Sequence, residues 1–240
     1  MAWLLILTLG LIAGTVGGIV GFGSSIMLLP ALVWSFGPKE AVPIMAIAGM
    51  MANFSRVAVW WREVDWRAGG VYCLTGVPAA VLGARTLVAL DPRLIEICLG
   101  LFLLAMIPAR RWLLASGFKI GLWQLAIVGA VIGFLSGVVA TVGPINTPFF
   151  LAYGLVKGPY ISTEALGSGV VGVAKSIVFN RFGALPLDTA VRGLIVGLTV
   201  TAGSWLAKRF VHRLHADQFR GLMDGLLVVA GAAMLLGALR

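Results

Sequence analysis

Two interrupted apolar stretches and two isolated cations are the residues whose types and spacing could do chemistry in this chain. The first stretch reads Gly21-Phe22-Gly23-Ser24-Ser25-Ile26-Met27-Leu28-Leu29-Pro30, and the second Thr141-Val142-Gly143-Pro144-Ile145-Asn146-Thr147-Pro148. Glycine costs about 1 kcal/mol against alanine inside a helix, and proline removes a hydrogen bond and clashes. Backbone freed at membrane depth is tolerated only where it is buried in protein or lines a watery cavity. Two such interruptions at matching places in two halves point to a transporter's binding site.

Ser24 and Ser25 follow the break at Gly23 and precede a short apolar run, where serine is a strong N-cap. A helix start offers unpaired N–H groups and a partial positive charge, so it binds anions without a formal charge. Thr141, Asn146 and Thr147 are expected to play the same part around Gly143, with Pro144 suited to the first helical turn. The plainer reading is two tight packing turns whose hydroxyls merely cap helices. Arg56 follows an apolar run that contains Asn53, and Lys175 follows one that contains Ser168. Charges within spans are costly and mark a site or pathway, although Arg56, close to Trp61 and Arg62, could also snorkel to the interface. The expected substrate site is therefore Gly23, Ser24, Ser25, Asn53, Arg56, Thr141, Gly143, Asn146, Thr147, Ser168 and Lys175. Glu96, Glu164 and Asp224 could each carry a coupling proton, and each could equally cap a helix or pair with an arginine.

Other chemistries lack their residues. The chain has no G-x-x-x-x-G-K-[ST] and no H-E-x-x-H, and its two histidines, His212 and His215, sit in a basic loop. No base stands ready for a serine nucleophile. Cys73 and Cys98 lie in apolar segments with no metal or redox spacing. The expectation is no enzyme, no metal and no cofactor.

The elements that must hold these residues are membrane segments. With 60% apolar residues, 11% charged and mean hydropathy +1.03, the chain lies far from soluble proteins, which carry about 25% charged residues. The net charge of +9 sits mainly in short loops, so it reads as topology signal and lipid contact rather than nucleic-acid binding. The N-terminus shows no basic n-region and no cleavage site, so residues 3–22 read as the first segment. Further segments fall near 25–37, 41–61, 67–90 and 93–114, then 121–140, 144–156, 160–180, 188–210 and 217–239.

The second five segments repeat the first five with a period of about 119 residues. Gly10, Gly14 and Gly18 step along the first segment as Gly129, Gly133 and Gly137 step along the sixth. Such ridges let helices approach closely in lipid. Pro30 answers to Pro148, Gly37 to Gly154, Asp65 to Asp188 and Gly83 to Gly203. The expected fold is an all-α polytopic membrane domain over 1–240, with repeat 1 about 3–114 and repeat 2 about 121–240 in inverted arrangement.

The second segment of each half is short, about 13 residues or roughly 20 Å against a core of about 30 Å. Five crossings per half make the halves inverted, and four make them parallel. Under ten alternating segments, Arg62, Arg67, Arg110, Arg111, Lys119, Lys157, Lys208, Arg209, Arg213 and Arg220 share one side, against Lys39, Arg85, Arg93, Arg181, Arg192 and Arg240, ten against six. Letting the short segments not cross gives eight against eight. The bias favours five plus five, with both termini outside the cytoplasm.

With both motifs in view, the chain resembles the TauE/SafE family of sulfite exporters, small bacterial transporters with a duplicated G-x-G-G-G-x-x-x-x-P-x-L pattern. The first copy here runs from Gly21 through Pro30 and Leu32 to Gly37 and Ala41. The second is closest at Gly143-Pro144-Ile145-Asn146-Thr147-Pro148, then Gly154, Ala165 and Gly167-Ser168. Ser24 and Ser25 replace two glycines, and Val139 and Thr141 stand where glycines are usual in the second copy. The resemblance implies a multi-pass protein of the bacterial inner membrane that moves sulfite or an organosulfonate such as sulfoacetate. A channel or transporter for a different small solute, its basic residues serving topology alone, is the alternative. Direction, coupling ion and oligomeric state stay open.

Overall fold

Apolar runs of 11 to 24 residues, each ended by a glycine, a proline or a short polar turn, fold here as helices. The computed structural model describes residues 2–20, 23–139, 142–156, 158–207 and the single positions Val228, Ala232 and Leu236. These residues form α1 (Ala2–Val20), α2 (Ser24–Phe36), α3 (Pro38–Trp60), α4 (Trp66–Ala89), α5 (Pro92–Ala115), α6 (Leu122–Val138), α7 (Gly143–Tyr153), α8 (Gly158–Arg181) and α9 (Leu187–Ala207), with a 3₁₀ turn at Trp61–Glu63 and no strand among them. The sequence places their polar ends well. Asp65 caps α4 by accepting the N–H groups of Arg67 and Ala68 at 3.0 Å, and Asp91 caps α5 ahead of Pro92. Gly37 (φ 77°) and Gly154 (φ 105°) take backbone angles that other residues rarely adopt, and so end α2 and α7 sharply.

Among the described residues, three helical stretches are long and apolar enough to cross a bilayer by themselves, Pro38–Glu63, Trp66–Ala89 and Leu187–Leu206. The outer surface carries exposed Leu74, Leu82, Ile127, Val131, Leu194 and Leu198, while tryptophans cluster at helix ends, as at Trp60, Trp61, Trp66, Trp123 and Trp205. An apolar belt between aromatic ends is the surface a bilayer selects. The protein is an all-α, multi-pass membrane protein.

Helix α1 lies along α9, and α6 lies along α4, through glycine seams. A Cβ on Gly14 would strike the Val200 backbone, and one on Gly203 the backbone of Leu11 to Thr15. At the other seam Gly133 faces Gly76, and Gly137 faces the backbone of Ala80 to Ala84. Between the seams α3 and α8 cross each other, with Gly169 against Asn53 and Phe54 and Gly172 against Met50. Close backbone contact through small residues is how helices associate in lipid.

The short helices double back along the helices that precede them. Trp3 at the start of α1 stacks 5.6 Å from Phe36 at the end of α2, so the two helices double back as a hairpin. Ile120 just before α6 donates to the carbonyl of Ala152 near the end of α7 at 3.2 Å, and Phe118 packs on Phe149, so α6 and α7 do the same. The first hairpin opens at the end of the bundle where α3 starts and the second at the end where α4 starts, because α6 runs alongside α4 in the same direction. Each short helix thus returns toward the end from which the helix before it set out. The reason is length: α2 spans about 20 Å and α7 about 16 Å, which suffices to return from the middle of a bilayer. Of the tenth expected segment, near 217–239, the described positions are Val228, Ala232 and Leu236; Asp224, His212 and His215 lie outside the described residues.

Candidate functional site

The tips of the two hairpins meet the α3–α8 crossing around a cavity of about 70 Å³, several times the roughly 10–15 Å³ that one water needs. Gly23, Ser24 and Ser25 line it from the start of α2, Val142 and Gly143 from the start of α7, and Ser136 from the end of α6. The crossing helices supply the rest: Met45, Gly49, Met50, Asn53 and Arg56 from α3, and Glu164, Ser168, Gly172 and Lys175 from α8. Eight of the expected site residues therefore share one cavity, drawn from positions up to 152 residues apart (175 − 23). A larger opening of about 500 Å³ lies where Leu113 to Ile120 meets the end of α7, with Lys119 as the charged residue of its lining.

The hydroxyl groups are placed otherwise than expected. Gly23, at φ 110°, is the N-cap of α2, and no side chain caps that helix. A left-handed turn at the cap position admits glycine readily and serine poorly, so Ser24 and Ser25 fall in the first turn instead, with their N–H groups toward the cavity end. Helix α7 starts after Val142, again with no side-chain cap, and Pro144 sits in its first turn. Thr147 turns away from the cavity: its hydroxyl donates to the Gly143 carbonyl at 2.8 Å and pairs with the Tyr160 hydroxyl at 2.6 Å. Asn146 is fully buried just behind the lining, its amide donating to Glu164 Oε1 at 3.4 Å. Thr141 lies outside the described residues, as does the side chain of Glu96.

Arg56 turns inward rather than snorkelling. One guanidinium nitrogen donates to Asn53 Oδ1 three residues back on α3, and the other, Nη1, stands 3.7 Å from Glu164 Oε2 on α8. Glu164 is 2% exposed and accepts the Ser168 hydroxyl on Oε1 at 2.6 Å. Arg56 Nη1, Glu164 Oε2 and Asn146 Oδ1 are all buried without a hydrogen-bond partner among the described residues. Buried polar atoms are nearly always satisfied, and a group of three open positions at one cavity marks room for a ligand or ordered water.

Lys175, 5% exposed, is held in another way. Its ammonium donates to the Ser136 carbonyl at 2.8 Å and the Ser136 hydroxyl at 3.1 Å, and pairs with no carboxylate among the described residues. Ser136 lies in the last turn of α6, where carbonyls lack helical partners and the helix dipole is negative. The lysine thus caps a helix that stops inside the bundle. Ser136 is a polar cavity residue that sequence reasoning missed. A serine within an apolar run gives no local sign of a partner 39 residues away. Together the arrangement offers two cations, backbone N–H groups at two helix starts and two serine hydroxyls, which can take the charge and several oxygens of a small anion.

A family model described as Sulfite exporter TauE/SafE matches residues 6–234. A probable membrane transporter protein of Xylella fastidiosa (strain 9a5c) is 24% identical over 247 residues, covering 95% of this chain and 93% of its own length, and its counterpart from strain Temecula1 matches to the same extent. A probable membrane transporter protein of Bacillus subtilis (strain 168), YunE, is 23% identical over 115 residues, which is 43% of this chain and 42% of that protein. No solved structure matches.

Proposed function

The chain belongs to the TauE/SafE sulfite exporter family and is a membrane transporter of that type, and from that premise we propose that it is a secondary transporter of a small sulfur-containing anion, sulfite or an organosulfonate such as sulfoacetate, in a bacterial inner membrane. The site is Gly23, Ser24, Ser25, Asn53, Arg56, Gly143, Ser168 and Lys175, with Ser136 added and Asn146 behind them; Thr147 is bonded to Tyr160 away from the lining, and Thr141 lies outside the described residues. The observation that carries this reading is the unbalanced charge of the cavity. Lys175 adds a positive charge with no carboxylate to neutralise it among the described residues, between two helix starts that also favour negative charge. A buried cation of this kind is costly and is by default functional in a membrane.

The proposed architecture is one membrane domain of two inverted repeats, about 3–114 and 121–240, each with a helix interrupted inside the bundle. The reciprocal seams support it, since α1 meets α9 as α6 meets α4, and so do the two hairpins that enter from opposite ends. Rocking of one repeat against the other around the cavity would open it to each side in turn.

A thermal-shift screen in detergent against sulfite, thiosulfate, sulfoacetate, taurine, sulfate and acetate tests the function. A ligand at about 100 times its dissociation constant adds roughly 2.7 kcal/mol of stability. The expected result is a rise with a sulfur anion that disappears in Lys175→Ala. A rise with an uncharged solute alone, or wild-type affinity in the variant, overturns the reading.

A further inference from the structure

An anion cavity gains nothing from a carboxylate unless the carboxylate does something when the anion arrives. Glu164 is the acidic side chain of the cavity among the described residues, and its contacts are unevenly shared between its two oxygens. Oε1 takes both hydrogen bonds, from Ser168 and from Asn146, while Oε2 takes none and faces Arg56 Nη1 at 3.7 Å. Nη1 also lacks a hydrogen-bond acceptor. A proton added to Oε2 leaves the Oε1 contacts whole and releases Nη1 to donate elsewhere. With Glu164 ionised, Arg56, Lys175 and Glu164 sum to +1; with Glu164 protonated they sum to +2.

We propose that Glu164 takes up one proton on Oε2 as the anion binds, and that Arg56 Nη1 passes from the carboxylate to an oxygen of the anion. The step forms an O–H bond at Oε2 and breaks one in the hydronium ion or buffer acid that gives up the proton, leaving water or the buffer base in bulk solution. Anion and proton then occupy the site together, so the proton is the coupling ion. This deepens the transport reading above and rests on it.

Other groups around Glu164 do not serve as well. Arg56 faces it from α3 and Lys175 lies three turns along α8. From α4 the buried Tyr72 approaches it. Asn146 of α7, Ser136 of α6 and the serines of α2 do not titrate in water's range. Glu63 and Asp65 lie by Gly158 and Thr163, at the start of α8.

Calorimetric titration of the purified protein in detergent tests the proposal with thiosulfate or sulfoacetate, whichever binds. Both stay ionised between about pH 5.5 and 8, so neither brings a proton of its own. Heats compared in two buffers of different ionisation enthalpy count the protons taken up. The wild type should take up about one proton per anion and bind up to tenfold more tightly per unit fall in pH. Glu164→Gln should bind with no uptake and no pH dependence, and Tyr72→Phe should keep both. Binding by the wild type without proton uptake, or uptake that survives in Glu164→Gln, overturns the proposal and leaves the transporter standing. Silence toward every anion, sulfite included, removes the anion reading on which the proposal rests and leaves a membrane transporter of another solute. The infrared difference spectrum of the wild type needs no variant and covers sulfite too: anion addition should raise a protonated-carboxyl band, and its absence counts against the proposal.

Discussion

Arg56 and Lys175 stand 119 residues apart (175 − 56), at corresponding places on α3 and α8, yet the two cations are held by opposite means. Arg56 has a side-chain carboxylate from α8 and an amide from its own helix. Lys175 has a backbone carbonyl and a hydroxyl at the end of a helix. A formal counter-charge can be protonated away, whereas a helix end cannot. Position 45, which lies 119 residues before Glu164 (164 − 119), is Met45, an apolar part of the cavity lining.

That contrast can be broken most severely at Glu164. Glu164→Ala leaves Arg56 without its partner and should destabilise the protein by about 3–5 kcal/mol, the usual cost of half a buried pair. Thermal unfolding in detergent reads it, and adding Arg56→Met should recover much of the loss. If the double variant is no more stable than Glu164→Ala, the two do not act as a pair. Lys175→Met should do the reverse. It trades a buried charge for an apolar chain of similar length, so stability should change by only about 1 kcal/mol, while anion affinity drops at least tenfold, or about 1.4 kcal/mol. Arg56→Lys keeps the charge but loses the planar fork that reaches Asn53 and Glu164 at once, and should cost about 1–2 kcal/mol. Equal stability of this variant and the wild type would mean that the fork geometry is idle. The smallest effect belongs to Ser136→Ala, about 0.5–1 kcal/mol, because the carbonyl that bonds Lys175 remains.

The helices were legible in the sequence because lipid imposes long apolar runs, and their ends because aspartate, glycine and proline punctuate them. α3, expected at 41–61, spans Pro38–Trp60, and α9, expected from 188, starts at Leu187. Arg56 and Lys175 stood out because a charge in an apolar run needs a reason. What holds each cation was not legible, since Glu164 and Ser136 reach them across helix crossings, and the crossing is a tertiary fact. The direction of the short helices was hidden for a related reason. Hydropathy registers how much apolar chain there is, and a half-length helix that returns looks the same as one that continues. The serine cap failed on local backbone geometry: propensity favours serine at a helix start, but the left-handed turn at residue 23 calls for glycine.

The reciprocal glycine seams carry a consequence for biosynthesis. The groove of α1 is filled by α9, with Ser204 bonded to the Gly14 carbonyl across 190 residues. At about 5–20 residues per second a ribosome needs roughly 10–40 s to make that stretch. Through that interval the first helix sits in the membrane with its close-packing face bare. A neighbouring nascent chain, a lipid tail or an insertion factor must shield it, while α4 and α6, separated only by α5, can close their own seam several times sooner. The molecule thus assembles from its middle outward, and its first helix is among the last to find its place.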